Sequence, residues 1–528
     1  MFTLCIDGGS KEATRRGPVG AGPRTVFAML LVSAAVAVVA GGADTPSSAE
    51  AAHARLQGEG SSWAAQMIDA ARVDASRLGL TIDYSASGST AGRRSFLRGT
   101  TDFAVSDVPF QFEPEDGSLA ERPSAGTYTY LPATAGGTAF VYNLDIDGQP
   151  VTNLRLSGDT VARIFTGLVD RWDDPAIAAD NPRLALPDLP LTPVVRSDGA
   201  GSTAHLTTWL AARHGDHWKD YCTRTARAPD CVPTSYFPAV GNMVGQSGDL
   251  GVAGYVSQAF ARGSIGYVNY SYALSAGFPV AKLLNAAGYY TEPTPENVAV
   301  SLLQARVATD QSNLHAYLTQ DLHGVYTDTD PRNYQLSSYS YFIVPTALSA
   351  SFGEDKGRSL AFFLHRYLCP LQKQAASLGY APLPMKLAEA GLEQIRRIPG
   401  ADPQSVDIET CDNPTFSPDG TNVLAANAPQ PKTCDHQGPD QCPDGTGGNR
   451  TPTPAAPQTT TPTTTTTTTI VPATTTPVGG TATGAPARGT LPQTGSDDPA
   501  ARVGLALLLL AVGRILLLTG RETPVIEP

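Results

Sequence analysis

The chain has 528 residues, more than one domain of ordinary size requires. Its formal charge of −12, from 49 acidic against 37 basic residues, argues against nucleic acid as a partner. With 41 % apolar and 16 % charged residues it has the material for a sizeable core.

In chain order, Arg15, Arg16 and Arg24 precede an apolar stretch over 26–40, and Gly41-Gly42-Ala43 and Ala49-Glu50-Ala51 follow as candidate cleavage sites. This is the anatomy of a secretory signal peptide, assigned to residues 1–43, so the mature chain is expected outside the cytosol. No cysteine directly follows the apolar run, which excludes a lipoprotein anchor, and Cys5 would leave with the signal. Six of the seven cysteines then remain, and an even number in an exported protein points to three disulfides. Spacing suggests Cys222 with Cys231, Cys434 with Cys442, and Cys369 with Cys411 by default, other pairings remaining open. No CxxC occurs, so zinc-ribbon and thioredoxin-like redox chemistry have little support.

Through 53–415 helical and strand-like patterns alternate. Helices are predicted over 60–78, 158–165, 202–213, 248–260 and 357–368, and strands over 81–85, 140–143, 192–196, 265–270 and 341–344. Such alternation predicts an α/β fold with mainly parallel sheets. Three places share one local grammar, a strand running into small hydroxyl and glycine residues before a helix. They are Gly60-Ser61-Ser62-Trp63, Gly88-Ser89-Thr90-Ala91-Gly92 and the stretch Arg196 to Thr203. Free N–H groups and the positive end of the helix dipole favour an anion at such turns, and Ser and Thr hydroxyls add donors. Alone, each turn is an ordinary helix cap. None fits the GxxxxGK[ST] pattern, which excludes that route to nucleotide hydrolysis.

Arg196 and Asp107 sharpen the signal. A guanidinium offers two parallel donors to an oxyanion, whereas a carboxylate accepts only from an oxyanion that still carries a proton. Such a pair would accept hydrogen phosphate and reject sulfate. His214 and His217 have no evident third metal ligand, and Asp328-Thr329-Asp330 lacks the Gly and Glu of a calcium loop, so both are expected to be solvated turns. No cofactor and no metal are expected.

From 443 to 490 the chain is nearly all Thr, Pro, Gly and Ala, including seven consecutive Thr from Thr463 to Thr469, too poor in apolar residues to fold. A Pro-rich linker of this length reaches roughly 150 Å at full stretch. Leu491-Pro492-Gln493-Thr494-Gly495 follows, then an apolar run over 503–518 and a tail with Arg521. This end resembles a sortase sorting signal, which implies sortase and peptidoglycan as partners, cleavage after Thr494 and attachment to the cell wall. A plain C-terminal membrane anchor is the alternative, although the run is shorter than the roughly 20 residues a spanning helix needs. Arg514 interrupts that run, and Glu522 dilutes a tail that is usually strongly basic.

Four ordered motifs carry a second resemblance. They are Thr101-Asp102-Phe103-Ala104-Val105-Ser106-Asp107-Val108-Pro109; Val169-Asp170-Arg171-Trp172-Asp173-Asp174-Pro175-Ala176-Ile177 with Asn181-Pro182; Val195-Arg196-Ser197-Asp198-Gly199-Ala200-Gly201-Ser202; and Gly263-Ser264-Ile265-Gly266-Tyr267-Val268. Over most of 56–400 the chain resembles the phosphate-binding protein of the phosphate-specific ABC importer, the PstS type. The resemblance implies a two-lobed periplasmic-binding-protein-like fold of type II, hinged over its ligand. Lobe one is placed at 53–140 plus 282–415, lobe two at 141–281, the linker at 416–490 and the sorting signal at 491–528. It implies phosphate binding by Ser62, Trp63, Ser89, Asp107, Arg196, Gly201 and Ser202, with Asp198 holding the arginine. Here Trp63 stands where the family often has Phe, Ser62 and Ser202 replace Thr, and Ala200 replaces a Ser. The last change removes one donor, worth about 1.5 to 3 kcal/mol when it reaches a charged group.

The function so implied is extracellular binding of inorganic phosphate for delivery to an ABC permease, without catalysis. Two alternatives stay open: a surface scavenging or adhesion protein with no transport role, and a phosphomonoesterase on the same fold.

Overall fold

The computed structural model describes residues 53–454, apart from 115–117, 125, 228–230, 403–410, 412 and 418. The signal segment 1–43, most of the Thr/Pro-rich run and the pentapeptide 491–495 lie outside the described residues.

Eight strands form the spine of one large sheet. They are β1 (Leu56–Gly60), β2 (Ile82–Ser85), β3 (Phe103–Ser106), β4 (Tyr128–Tyr142), β5 (Thr192–Arg196), β6 (Val244–Gln246), β7 (Ser264–Asn269) and β8 (Ser337–Pro345), in the order β2-β1-β3-β8-β4-β7-β5-β6. Pairings toward both edges are parallel: β1 with β2 and β3, and β5 with β6 and β7. The centre is antiparallel, β8 pairing with β3 and β4, and β4 with β7. The parallel sheet expected from helix–strand alternation therefore holds in each lobe and gives way where the lobes join. Around it pack α1 (Ala65–Arg77), α2 (Ser89–Leu97), α3 (Gly201–Arg213), α4 (Gly248–Val256) and α5 (Glu354–Leu368).

β4 is the hinge strand. All 15 of its residues are buried; residues from Tyr128 to Gly137 pair with β8, and Thr138 to Tyr142 pair with β7. Sequence patterning predicts only 140–143, whereas the strand runs on through Pro132 and Gly136-Gly137. Proline lacks the N–H that a ladder needs. Pro132 is placed where the register against β8 shifts, between Tyr339 and Tyr341, so the missing donor falls at an existing irregularity.

Two cores define the lobes. Leu56, Ile68, Phe103, Leu131, Phe342 and Leu364 belong to the first; Phe140, Phe165, Trp172, Leu206, Trp209 and Ile265 belong to the second. The boundary at 282 needs correction. Leu283, Leu322, Val325, Tyr334 and Leu336 are buried in the second core, and the chain returns to the first along β8, although Val298 to Val300 reach into the first core.

The linker also begins later than 416. Thr415 Oγ1 donates to Leu383 O at 2.7 Å on the first lobe, and Lys282 Nζ meets Asp435 Oδ1 at 2.7 Å on the second. Buried Arg155 donates to the carbonyls of Cys434, Gly438 and Asp440, while Thr152 bonds to Thr451 and Thr453. Residues 413–454 thus form a strap over both lobes. Composition conceals it because the strap contributes few apolar side chains, Ala425 and Ala428 in the first core with Phe416 and Leu424 against it, and is otherwise held through backbone carbonyls met one at a time by buried donors. The three disulfides join Cys222–Cys231, Cys369–Cys411 and Cys434–Cys442, as spacing suggested. The second ties the end of α5 to Cys411, two residues before the strap, and the third closes the turn that Arg155 grips.

Candidate functional site

Each nominated residue except Asp107, which lies in the loop after β3, stands where a strand ends and a helix begins, and the fold brings all of them into one cleft between the lobes. From the first lobe come Ser61, Ser62 and Trp63 after β1, Ser89 at the start of α2 and Asp107 after β3. The second lobe supplies Arg196 at the end of β5, Asp198 in the loop after it, and Gly201 and Ser202 opening α3. The helix predicted over 60–78 starts only at Ala65. Ser61 Oγ instead accepts from Ala64 N at 3.1 Å, so the two serines shape the turn into the cleft.

Close approach across the cleft requires glycine at two points. Gly88 has φ +100°, and a Cβ there would lie 2.4 Å from Asp198 Oδ2. A Cβ on Gly201 would lie 2.4 Å from Asp107 Cβ, so only glycine lets the second lobe's anion loop reach the first lobe's carboxylate.

Arg196 is almost fully buried and bonded on two sides. Its Nε and Nη2 donate to Asp198 Oδ1 and Oδ2 at 2.8 and 2.5 Å, a two-pronged fork that fixes the guanidinium plane. Nη1 donates to Asp249 Oδ2 at 2.5 Å and to Ser202 Oγ at 3.2 Å. Burial opposes its charge, but Asp249 and Asp198 more than compensate and raise its pKa, so it is a permanent cation. Burial pushes the Asp198 carboxyl up, yet the bond and charge of Arg196 bring its pKa below the usual value.

Asp107 accepts from Ser61 Oγ at 2.6 Å and from Ser89 Oγ at 3.0 Å, while its own N–H donates to Ser89 Oγ at 3.1 Å. Burial lifts its pKa to about 6, helped by the charge of Asp249 and opposed by the two serine bonds and Arg196. At neutral pH it is an ionised acceptor. His205 holds the loop from behind: its Nε2 lies 2.9 Å from the Asp107 carbonyl, which can only accept, so Nε2 carries the proton. Burial lowers the His205 pKa to about 4, keeping the ring neutral.

Trp63 plays a different part from its neighbours. Its Nε1 donates to Thr138 Oγ1 at 3.1 Å on the hinge strand, and its ring stands edge-on to Tyr380. Its side chain therefore belongs to the core and hinge, leaving only its backbone N–H for an anion.

Sequence reasoning missed Asp249, which opens α4 and is fully buried. The signal was present: Gln246-Ser247-Gly248-Asp249 is a fourth strand-to-helix turn of small residues, overlooked because it has no arginine and was absorbed into a predicted helix start. Of the other sequence candidates, His217 pairs with Asp159 at 2.7 Å, His214 stacks on Trp209, and Asp330 pairs with Arg332. None of these approaches the cleft residues.

Residues 45–364 match the model of the PBP superfamily domain. The phosphate-binding protein PstS of Xylella fastidiosa (strain Temecula1) is 31 % identical over 348 residues, spanning 65 % of this chain and 86 % of that protein. The chain belongs to the PstS family. A second PstS relative, phosphate-binding protein PstS2 of Mycobacterium bovis, is 30 % identical over 58 % of this chain and 76 % of its own length. Among solved structures, a phosphate-binding protein from Stenotrophomonas maltophilia is similar at 17 % identity and a TM-score of 0.48, covering 64 % of this chain and 93 % of that one. The family match agrees with the two-lobed α/β fold, whose two cores meet along β4.

Proposed function

We propose that this chain binds inorganic phosphate outside the cell, between its two lobes, for delivery to an ABC permease. The observation that carries this reading is the pairing of a buried, permanently charged Arg196 with a buried acceptor, Asp107, in one cleft rimmed by serine hydroxyls and by the N-termini of α2 and α3. Arg196, Ser202 and the first N–H groups of α3 would hold the anion from the second lobe. Ser62, Ser89 and the Trp63 N–H would hold it from the first. As drawn, Ser89 gives its single proton to Asp107. A phosphate oxygen that carries its own proton can donate to Asp107 instead, freeing Ser89 to donate to the anion, so the count of hydrogen bonds is conserved. Sulfate, with no proton at neutral pH, would leave Asp107 facing a lone pair.

Binding without turnover fits the same geometry. The hydroxyls of Ser61, Ser62 and Ser89 donate to carboxylates, and His205 directs its Nε2 proton at a backbone carbonyl, so it does not act as a base toward them. The PstS relatives are named as binding proteins, in keeping with this. The pentapeptide from Leu491 to Gly495 and the apolar run beyond it support display on the cell wall through sortase, a reading that rests on the sequence alone. Titration of the purified chain with phosphate, sulfate and arsenate tests the function. Saturable one-to-one binding of phosphate with sulfate rejected is expected, and equal affinity for phosphate and sulfate would refute it.

A further inference from the structure

The cleft contains the same serine–aspartate device twice. In the first, Ser89 Oγ donates to Asp107 Oδ2 and accepts from Asp107 N at 3.1 Å. In the second, Ser62 Oγ donates to Asp249 Oδ2 at 2.6 Å and accepts from Asp249 N at 3.1 Å. The second device spans the cleft, because Ser62 belongs to the first lobe and Asp249 to the second. Asp249 is not needed to orient Arg196, whose Nε and Nη2 are already gripped by Asp198. It lies instead on the Nη1 side, where Ser202 and Ser62 also converge. Its other oxygen, Oδ1, accepts from Asn269 N at 2.7 Å, which pins the carboxylate in place.

We propose that Asp249 is a second proton-reading carboxylate, and that it makes this site select the doubly protonated monoanion of phosphate over the dianion. The inference rests on the phosphate-binding reading above. Ser62 has one hydroxyl proton. To donate it to an anion, Ser62 must release Asp249 Oδ2, which in a fully buried site then keeps only the Arg196 Nη1 proton, the donor for which the anion itself competes. The anion restores that bond only by supplying a proton of its own. Asp107 makes the same demand through Ser89. One proton, which both phosphate anions carry, satisfies one carboxylate; satisfying both takes two, which only the monoanion carries. Charge points the same way: Arg196 faces Asp198, Asp249 and Asp107, so each further negative charge on the ligand is opposed. The titratable groups whose charges bear on Asp249 are Arg196 from β5, Asp107 from the loop after β3, Tyr272 from the helix after β7 and Tyr380 from the loop before the last helix of the first lobe.

The test is calorimetry of inorganic phosphate into the wild-type protein and Asp249→Asn between pH 6 and pH 8, in buffers of different ionisation enthalpy. Monoanion selection makes the wild-type affinity fall by about tenfold across that range and makes binding at pH 8 take up close to one proton. In Asp249→Asn the amide can donate to an unprotonated oxygen, so the fall should shrink to about threefold or less and proton uptake should drop in step. A wild-type affinity that is flat with pH overturns the proposal and needs no variant. So does an Asp249→Asn that weakens phosphate by the same factor at every pH, the mark of a residue that only braces Arg196. Failure of the phosphate reading itself looks different, because the wild type would then show no phosphate binding at any pH.

Discussion

Asp107→Asn separates the two tetrahedral anions that the cleft must tell apart. The carboxylate is buried and accepts from Ser61 and Ser89 at 2.6 and 3.0 Å, so in the wild type a sulfate oxygen meets only lone pairs there. An amide of the same shape can turn its N–H₂ toward that oxygen. Relieving one unsatisfied contact to a charged group is worth about 1.5 to 3 kcal/mol, which is about a tenfold to a hundredfold gain in sulfate affinity. Phosphate exchanges one charge-assisted bond for a neutral one and should lose less than about tenfold. Because Asp107 takes up a proton near pH 6, wild-type sulfate affinity should also rise as the pH is lowered from 7.5 to 5, and the asparagine variant should not share that rise. Competition calorimetry at several pH values reads all three quantities. The reasoning is refuted if sulfate stays undetectable in the variant while phosphate affinity collapses.

Asp107 also leaves a signature in stability without ligand. Its folded pKa of about 6 lies above the ordinary 3.8, so its contribution is complete below about pH 4 and is lost as the pH rises through 6. That loss is on the order of 3 kcal/mol, and Asp107→Asn should flatten it in thermal melts run without phosphate. Arg155→Ala should destabilise by about 3 kcal/mol or more, because it removes donors to Asp180, Cys434, Gly438 and Asp440 and the stack on Tyr290; urea unfolding with a loss under about 0.5 kcal/mol would show that the strap is held otherwise. Thr494→Ala should move the protein from the peptidoglycan fraction to uncleaved precursor in the membrane, while native protein that retains residues beyond Gly495 would rule out sorting.

Much of the cleft was legible because anion chemistry leaves a local trace. Ser62, Ser89, Arg196 and Ser202 each follow a strand and precede a helix, and that arrangement is written in consecutive residues. Asp249 stands in a turn of the same kind, but nothing local distinguishes that turn from an ordinary helix start. Its role comes from contacts with Ser62, 187 residues distant, and with Arg196, 53 residues distant, and an aspartate near a helix start reads as a cap. For Trp63 the local pattern tells the position of the backbone but not of the side chain. The residue sits in the right turn, but its indole proton goes to Thr138 on the hinge strand, a partner set by tertiary packing. The fold class followed from helix–strand alternation, whereas β4 did not, since a strand buried on both faces loses the period-two pattern that marks a half-exposed one. The strap escaped for a related reason: it is held by distant residues, among them donors from Arg155, Lys282, Thr152 and Arg332 and the core that takes in Ala425 and Ala428, which no local window contains.

Calorimetric titration of phosphate into wild-type protein and Arg196→Ala bears most directly on the central claim. Arg196 is the cleft's buried cation, and its removal also leaves Asp198 and Asp249 without their shared partner, facing any anion that enters. One-to-one binding in the wild type and a loss of at least about a hundredfold in the variant, or about 2.8 kcal/mol, is the expected result. An unchanged dissociation constant in a variant that remains folded would contradict it and place the anion elsewhere.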